Sequence, residues 1–147
     1  PELKTLEPIF KSGRTLYVIA NNLQWLEENQ VSPQQQALSK ALETWRKDWE
    51  SQDTERYLAH YSKSFFTKGA DYDAWANHKR RVQASKPDVE IKLSNVSMLR
   101  YPNSKQEMAV VNFEQSFKSN HLNNTMRKRQ YWVLENNRWK IKYEGPA

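Results

Sequence analysis

Acid–base chemistry requires a carboxylate, histidine or tyrosine with a shifted pKa inside a pocket, and few groups in this sequence are placed for it. The three histidines, His60, His78 and His121, are far apart and have no Glu or Cys at metal-ligand spacing, so neither a metal nor a cofactor is expected. His78 aligns with Trp75 and Val82 and reads as the one inward histidine, whereas His60 and His121 read as surface or loop residues. Asp48 lies off the apolar stripe of its helix and reads as solvated, while Asp53 and Asp71 read as helix caps. The chain has no cysteine, hence no thiolate nucleophile and no disulfide. No acid and base converge, so this chain is not expected to be catalytic.

Aromatic residues are the better candidates for a site. Trp45, Trp49, Tyr57, Tyr61, Phe65 and Trp75 recur through the helical part, and Phe113, Gln115 and Phe117 share one face of a later strand. Such a stripe is either core or the lining of a small-ligand pocket, with His78 and Gln115 as its polar members. A lone inward amide such as Gln115 needs a partner, from a tyrosine hydroxyl or from a ligand. A second set is basic. Arg127, Arg129, Arg138, Lys140 and Lys142 fall on two strands of one hairpin in a chain of net charge +6. They read either as a solvated sheet face or as a contact for an anionic polymer. Charge alone would suit nucleic acid, but the aromatics alternate inward and leave no stacking platform, which argues against it.

Three helices must position these residues. Ser32-Pro33-Gln34-Gln35 supplies an N-cap, a first-turn proline and a capping-box glutamine, and Leu38, Leu42, Trp45 and Trp49 form one stripe. Asp53 caps a short second helix on which Tyr57 and Tyr61 share a face; Asp71 caps a third, which Pro87 must end. Lys79, Arg80 and Arg81 are expected to face water. Ser64-Phe65-Phe66-Thr67 reads as a brief strand before Gly69.

Four alternating strands follow. Val89, Ile91 and Leu93 share a face, and Val96 and Met98 resume the pattern one residue out of step, which predicts a β-bulge near Ser94-Asn95. Pro102-Asn103-Ser104 makes a turn, and Asn136-Asn137 is a two-residue hairpin turn. Trp139, Ile141 and Tyr143 are expected to point inward. The fold class is therefore α+β, with three N-terminal helices on a bent, cone-like antiparallel sheet of about four strands.

With 147 residues the chain suits one domain, and its six tryptophans can offset a hydrophobic content of only 37%. Residues 1–31, including the β-prone Thr15-Leu16-Tyr17-Val18-Ile19, read as an arm or linker from a preceding unit, and residues 32–147 as the domain proper. The chain begins at Pro1 without Met and is expected to be a processed or excised piece. No run approaches the length of a membrane span, and none reads as a signal peptide.

The order of elements resembles the nuclear-transport-factor-2-like (SnoaL-like) cone fold. The series Leu42-x-x-Trp45-x-x-x-Trp49-x-x-x-Asp53-x-x-x-Tyr57-x-x-x-Tyr61-x-x-x-Phe65 is similar to the C-terminal accessory domain of bacterial cell-shape-type L,D-transpeptidases, enzymes that trim or cross-link peptidoglycan. Trp75-x-x-x-Lys79-Arg80, Phe113-x-x-x-Phe117 and Arg138-Trp139-Lys140-Ile141 continue the likeness, which runs from Ser32 to about Tyr143. The Ser-His-Gly-Cys-x-Arg signature of the catalytic domain is absent. The resemblance implies a non-catalytic accessory domain in the periplasm or cell envelope, holding a cell-wall fragment, a partner or a second copy of itself through its sheet. Peptidoglycan or an acidic wall polymer is the implied partner. The alternatives are a SnoaL-type isomerase or dehydratase, and a purely structural homodimerisation domain.

Overall fold

The computed structural model describes residues 33–84, 88–101, 105–120 and 122–147, together with the backbone of residues 16–19. Helix α1 (Pro33–Ser51) buries Leu38, Leu42, Trp45 and Trp49, the stripe expected from their spacing. Gln52 takes a left-handed φ of 65°, which reverses the chain into α2 (Thr54–Leu58). The side chains of Asp53 and Asp71 accept from the amides of Arg56 and Ala74, so both cap their helices. Between these helices lie β2 (Tyr61–Thr67) and β3 (Ala70–Asp71), joined through Gly69 at φ 78°. Helix α3 (Tyr72–Gln83) then leads to the strands β4 (Val89–Tyr101), β5 (Met108–Ser119), β6 (Asn123–Glu135) and β7 (Arg138–Pro146).

These last four form the expected antiparallel meander. Asn136 and Asn137 both have positive φ, 50° and 62°, as a type I′ hairpin turn requires. The register of β4 slips between Ser94 and Ser97, with Asn95 at φ 52°, and this is the expected bulge. The sheet is larger than the four strands expected. Among the described residues it has seven, because β1 (Leu16–Ile19) pairs in parallel with β4, while β2 pairs in parallel with β7 and antiparallel with β3. Ser32, Pro87, Pro102-Asn103-Ser104 and His121, each given a role above, lie outside the described residues.

Two assignments are corrected. Tyr57 and Tyr61 do not share a helix: α2 stops at Leu58, and Tyr61 opens the strand Tyr61–Thr67, although their rings still meet at 5.3 Å. Tyr143 does not point inward. Tyr131 pairs with Tyr143 and Trp132 with Ile141, so Lys142 is an extra residue bulging out of the ladder. The bulge turns Glu144 into the core, only 7% exposed, and sends Tyr143 to the outer face against Tyr131 and Phe66.

Candidate functional site

Helices and sheet enclose an aromatic cone. Trp45 meets Trp49, Tyr57 and Phe113 with ring centroids 5.3, 6.4 and 5.9 Å apart. Tyr61 lies 5.0 Å from Phe65 and 4.2 Å from Trp75, and Trp49 5.7 Å from Phe117. These residues are all buried, so the rings that were candidates for a ligand lining fill the cone themselves. Each such pair adds about 0.5–1.5 kcal/mol beyond the area it buries.

A polar network runs through the rings. Trp45 Nε1 donates to Tyr61 Oη at 3.0 Å, and Tyr61 Oη lies 3.1 Å from Tyr57 Oη and 2.9 Å from Glu144 Oε1, to which it donates. Gln130 Nε2 donates to the same carboxylate at 3.0 Å, and its Oε1 accepts from Trp132 Nε1. Lys128 Nζ is 3.7 Å from Glu144 Oε2 and 5.0 and 5.6 Å from the ring centroids of Trp49 and Trp45. Burial pushes both phenols well above the usual tyrosine range, and the Glu144 charge adds to the effect. They serve as hydrogen-bonding groups rather than bases near neutral pH.

Lys128, Gln130 and Glu144 were missed as inward residues. The signal for the first two was present, since Lys128, Gln130 and Trp132 follow one another at period two on the buried face of β6. Gln115 is buried as expected, but the tyrosine hydroxyls are engaged elsewhere and its Oε1 accepts no hydrogen bond.

The cone opens at a cleft of about 50 Å³ lined by Trp49, Gln52, Lys79, Val82, Gln83, Val89 and Phe117. The Nε2 groups of Gln52 and Gln83 are covered there and donate to no partner. Lys79 Nζ lies 6.0 Å from the centroids of both Trp49 and Trp75. His78, assigned inward, is exposed. The stripe of α3 continues from Trp75 to position 79, four residues on and closer in helical angle than position 78, so the Lys79 stem covers the rings instead.

The five basic candidates do not form one line. Arg127, Arg129 and Arg138 are exposed, and Lys140 and Lys142 half-buried. Arg129 donates to Asn112 and borders a depression of about 280 Å³ with Phe66, Tyr131, Tyr143 and Pro146. Lys142 Nζ donates to Ser64 Oγ. Arg138 and Lys140 instead border a larger groove against α1 and α2, of about 780 Å³.

Two further residues differ from the sequence reading in that groove. Asp48, read as solvated, is 8% exposed, and His60, read as a surface residue, is half-buried. Asp48 Oδ2 is 2.7 Å from His60 Nε2, and Arg56 Nε is 3.7 Å from Oδ1. The chain leaves α1 at the left-handed Gln52, and His60, just beyond α2, meets Asp48 of α1, a contact that helical spacing does not encode.

A bent sheet wrapped around three helices is the cone of nuclear-transport-factor-2-like domains. The Cds6 C-terminal NTF2-like domain matches residues 37–145, and the chain belongs to this family. Among solved structures, Bd1075 of Bdellovibrio bacteriovorus superposes with a TM-score of 0.71 at 24% identity, over 86% of this chain and 46% of that one. Pgp2 of Campylobacter jejuni, a helical cell shape determining protein, gives 0.71 at 24% identity over 76% of this chain and 40% of its own. An NTF2-like protein of Pseudomonas putida KT2440 gives 0.61 at 12% identity, over 73% and 80%. This chain thus spans less than half the length of the first two. The comparison with curated proteins gave no match. No described helix is long and apolar enough to cross a membrane.

Proposed function

We propose that this domain is a non-catalytic accessory module of a peptidoglycan-modifying, L,D-transpeptidase-like protein of the cell envelope, and that it holds a wall fragment at the mouth of its cone. The observation that carries this reading is the cleft at Trp49 and Phe117. It joins two covered amide donors without partners, on Gln52 and Gln83, to an ammonium on Lys79 and to indole and phenyl surfaces. At about 50 Å³ the cleft is too small to enclose a whole ligand, and its apolar surface with a few fixed polar groups suits the end of a larger one. Tyr57, Tyr61 and Glu144 are bonded to one another in the ring-filled interior, and Asp48 and His60 pair in a separate groove. Neither set lines the cleft at Trp49 and Phe117, which favours binding there over SnoaL-type isomerase or dehydratase chemistry. The likeness to a cell shape determining protein supports the choice of ligand, and the basic strand residues would add attraction for an acidic wall polymer.

The test is retention on intact peptidoglycan sacculi at low and high salt. Retention should fall with salt, and Lys79→Ala should weaken it about tenfold, the 1.4 kcal/mol typical of one charge-assisted contact. Equal retention of wild type and Lys79→Ala would remove the cleft from the reading; no retention at either salt would remove the wall ligand altogether.

The outer face favours a second reading, a homodimer through the sheet. Phe66 is 50% exposed there and lies 5.3 Å from Tyr143, which in turn lies 5.3 Å from Tyr131. Sedimentation velocity should then show a dimer that Phe66→Ser converts to monomer; a monomer at all concentrations would end this reading.

A further inference from the structure

The groove between α1, α2 and the start of β7 collects positive charge around one carboxylate. Lys40 of α1, Arg56 of α2, and Arg138 and Lys140 of β7 line it, whereas Asp48 is the one acidic lining residue among the described residues and is already bonded to His60. Lys140 Nζ donates to Ala59 O at 2.6 Å, one residue from His60, so this ammonium and the Arg56 guanidinium flank the imidazole. The cations act against one another. Burial and then Arg138 hold Lys140 below the usual lysine range, with Lys63 adding to the effect and Glu135 opposing it. Burial likewise lowers His60; Asp48 opposes the shift, and Lys140 and Arg56 reinforce it. Like charges drawn together with one carboxylate among them constitute a field that an anion would relieve.

We propose that this groove is a binding site for a phosphomonoester, with His60 as the ligand that takes up a proton when the phosphate arrives. Asp48 holds Nε2 and so fixes the ring, which leaves Nδ1 to meet the ligand. Arg56 and Arg138 offer the forked donors that suit phosphate oxygens. A phosphomonoester also matches the imidazole in acidity: its second pKa, about 6, lets one proton lie between the two groups at neutral pH, whereas a carboxylate is far too weak a base for this. The alkyl surfaces of Ala37, Ala41 and Ala59 beside Trp139 give the organic body of the ligand an apolar floor. No covalent step is involved. The site is separate from the cone mouth and does not depend on the wall reading.

The linkage has a definite sign. Burial and the flanking cations favour the neutral imidazole, whereas a bound dianion favours the imidazolium. Binding therefore takes up a proton and should tighten as pH falls toward about 6, below which the free phosphate carries that proton itself and the gain levels off. The experiment follows the ring signals of His60 and His78 by NMR across pH, on the whole chain, in sodium chloride and in phenyl phosphate or inorganic phosphate at matched ionic strength. Exposed His78 is the internal control. Phenyl phosphate is expected to tighten proton binding at His60 at least tenfold while His78 stays unchanged. Arg138→Ala, a substitution at an exposed position, should abolish most of the effect. Inorganic phosphate should act more weakly than phenyl phosphate, because it leaves the apolar floor uncovered, and acetate should not act at all. Equal responses at His60 and His78, a response to acetate as large as that to phosphate, or an undiminished response in Arg138→Ala would each overturn the proposal.

Discussion

Trp45→Ala should lower the stability of the domain by about 3–5 kcal/mol with no ligand present, the usual result of emptying a large buried aromatic site. Trp45 is 0% exposed, packs at tilted angles against the rings of Trp49, Tyr57 and Phe113, and donates from Nε1 to Tyr61. Substitution by alanine therefore removes three ring contacts and one donor of the polar network together. Urea unfolding gives the value directly, since the slope of the transition should stay constant while its midpoint falls. Trp45→Phe should lose less, because a ring still packs against its neighbours and only the indole bond and some volume go. A loss below about 1 kcal/mol for Trp45→Ala would mean that the cone can collapse around the gap and that this ring is not a structural centre.

The second large effect should come from the buried ion pair. Lys128 and Glu144 are 8% and 7% exposed, so removal of one leaves the other's charge in the core without its counter-charge. Lys128→Ala is expected to cost about 3–5 kcal/mol. The double variant Lys128→Met/Glu144→Gln should recover most of that loss. Methionine keeps an unbranched stem beneath Trp45 and Trp49, and an amide can still accept from Tyr61. A double-mutant cycle by urea unfolding measures the coupling. If the two single variants each cost little and their effects add, the pair is solvated and the network through Tyr61 does not depend on it.

Both experiments concern residues whose roles were unevenly legible in the sequence. Trp45 was visible because α1 is uninterrupted, so its 3.6-residue period maps directly onto burial. Asp53, Asp71 and Asn136-Asn137 were visible because caps and type I′ turns are local chemistry, set within four residues. Glu144 was not visible. The alternation of Trp139, Ile141 and Tyr143 continues unbroken past Lys142, and the bulge there is imposed by pairing with β2 and β6, which lie elsewhere in the chain. His78 was misplaced for a related reason: a lysine four residues from Trp75 was taken as solvated because of its charge, although its methylene stem packs on rings as readily as a shorter residue. Asp48 and His60 are twelve positions apart on opposite sides of a helix break, and the left-handed Gln52 that joins them carries no glycine or asparagine to announce the turn. The candidate site was thus legible as a set of rings and charges, and illegible wherever two elements had to meet for a residue's role to be decided.

The parallel pairing of β2 with β7 bears on the order of assembly. Tyr61 finds its strand partner in Ile141 and its carboxylate partner in Glu144, some eighty residues later in the chain. Contacts of such sequence separation form slowly, since the loop must close before any of them is gained. During synthesis the helices and the first strands of the meander can gather early, but the cone has no closing wall until β7 emerges. Until then Tyr57, Tyr61 and Trp75 face an open side, and the nascent domain is an exposed cluster of rings whose protection comes with its final strand.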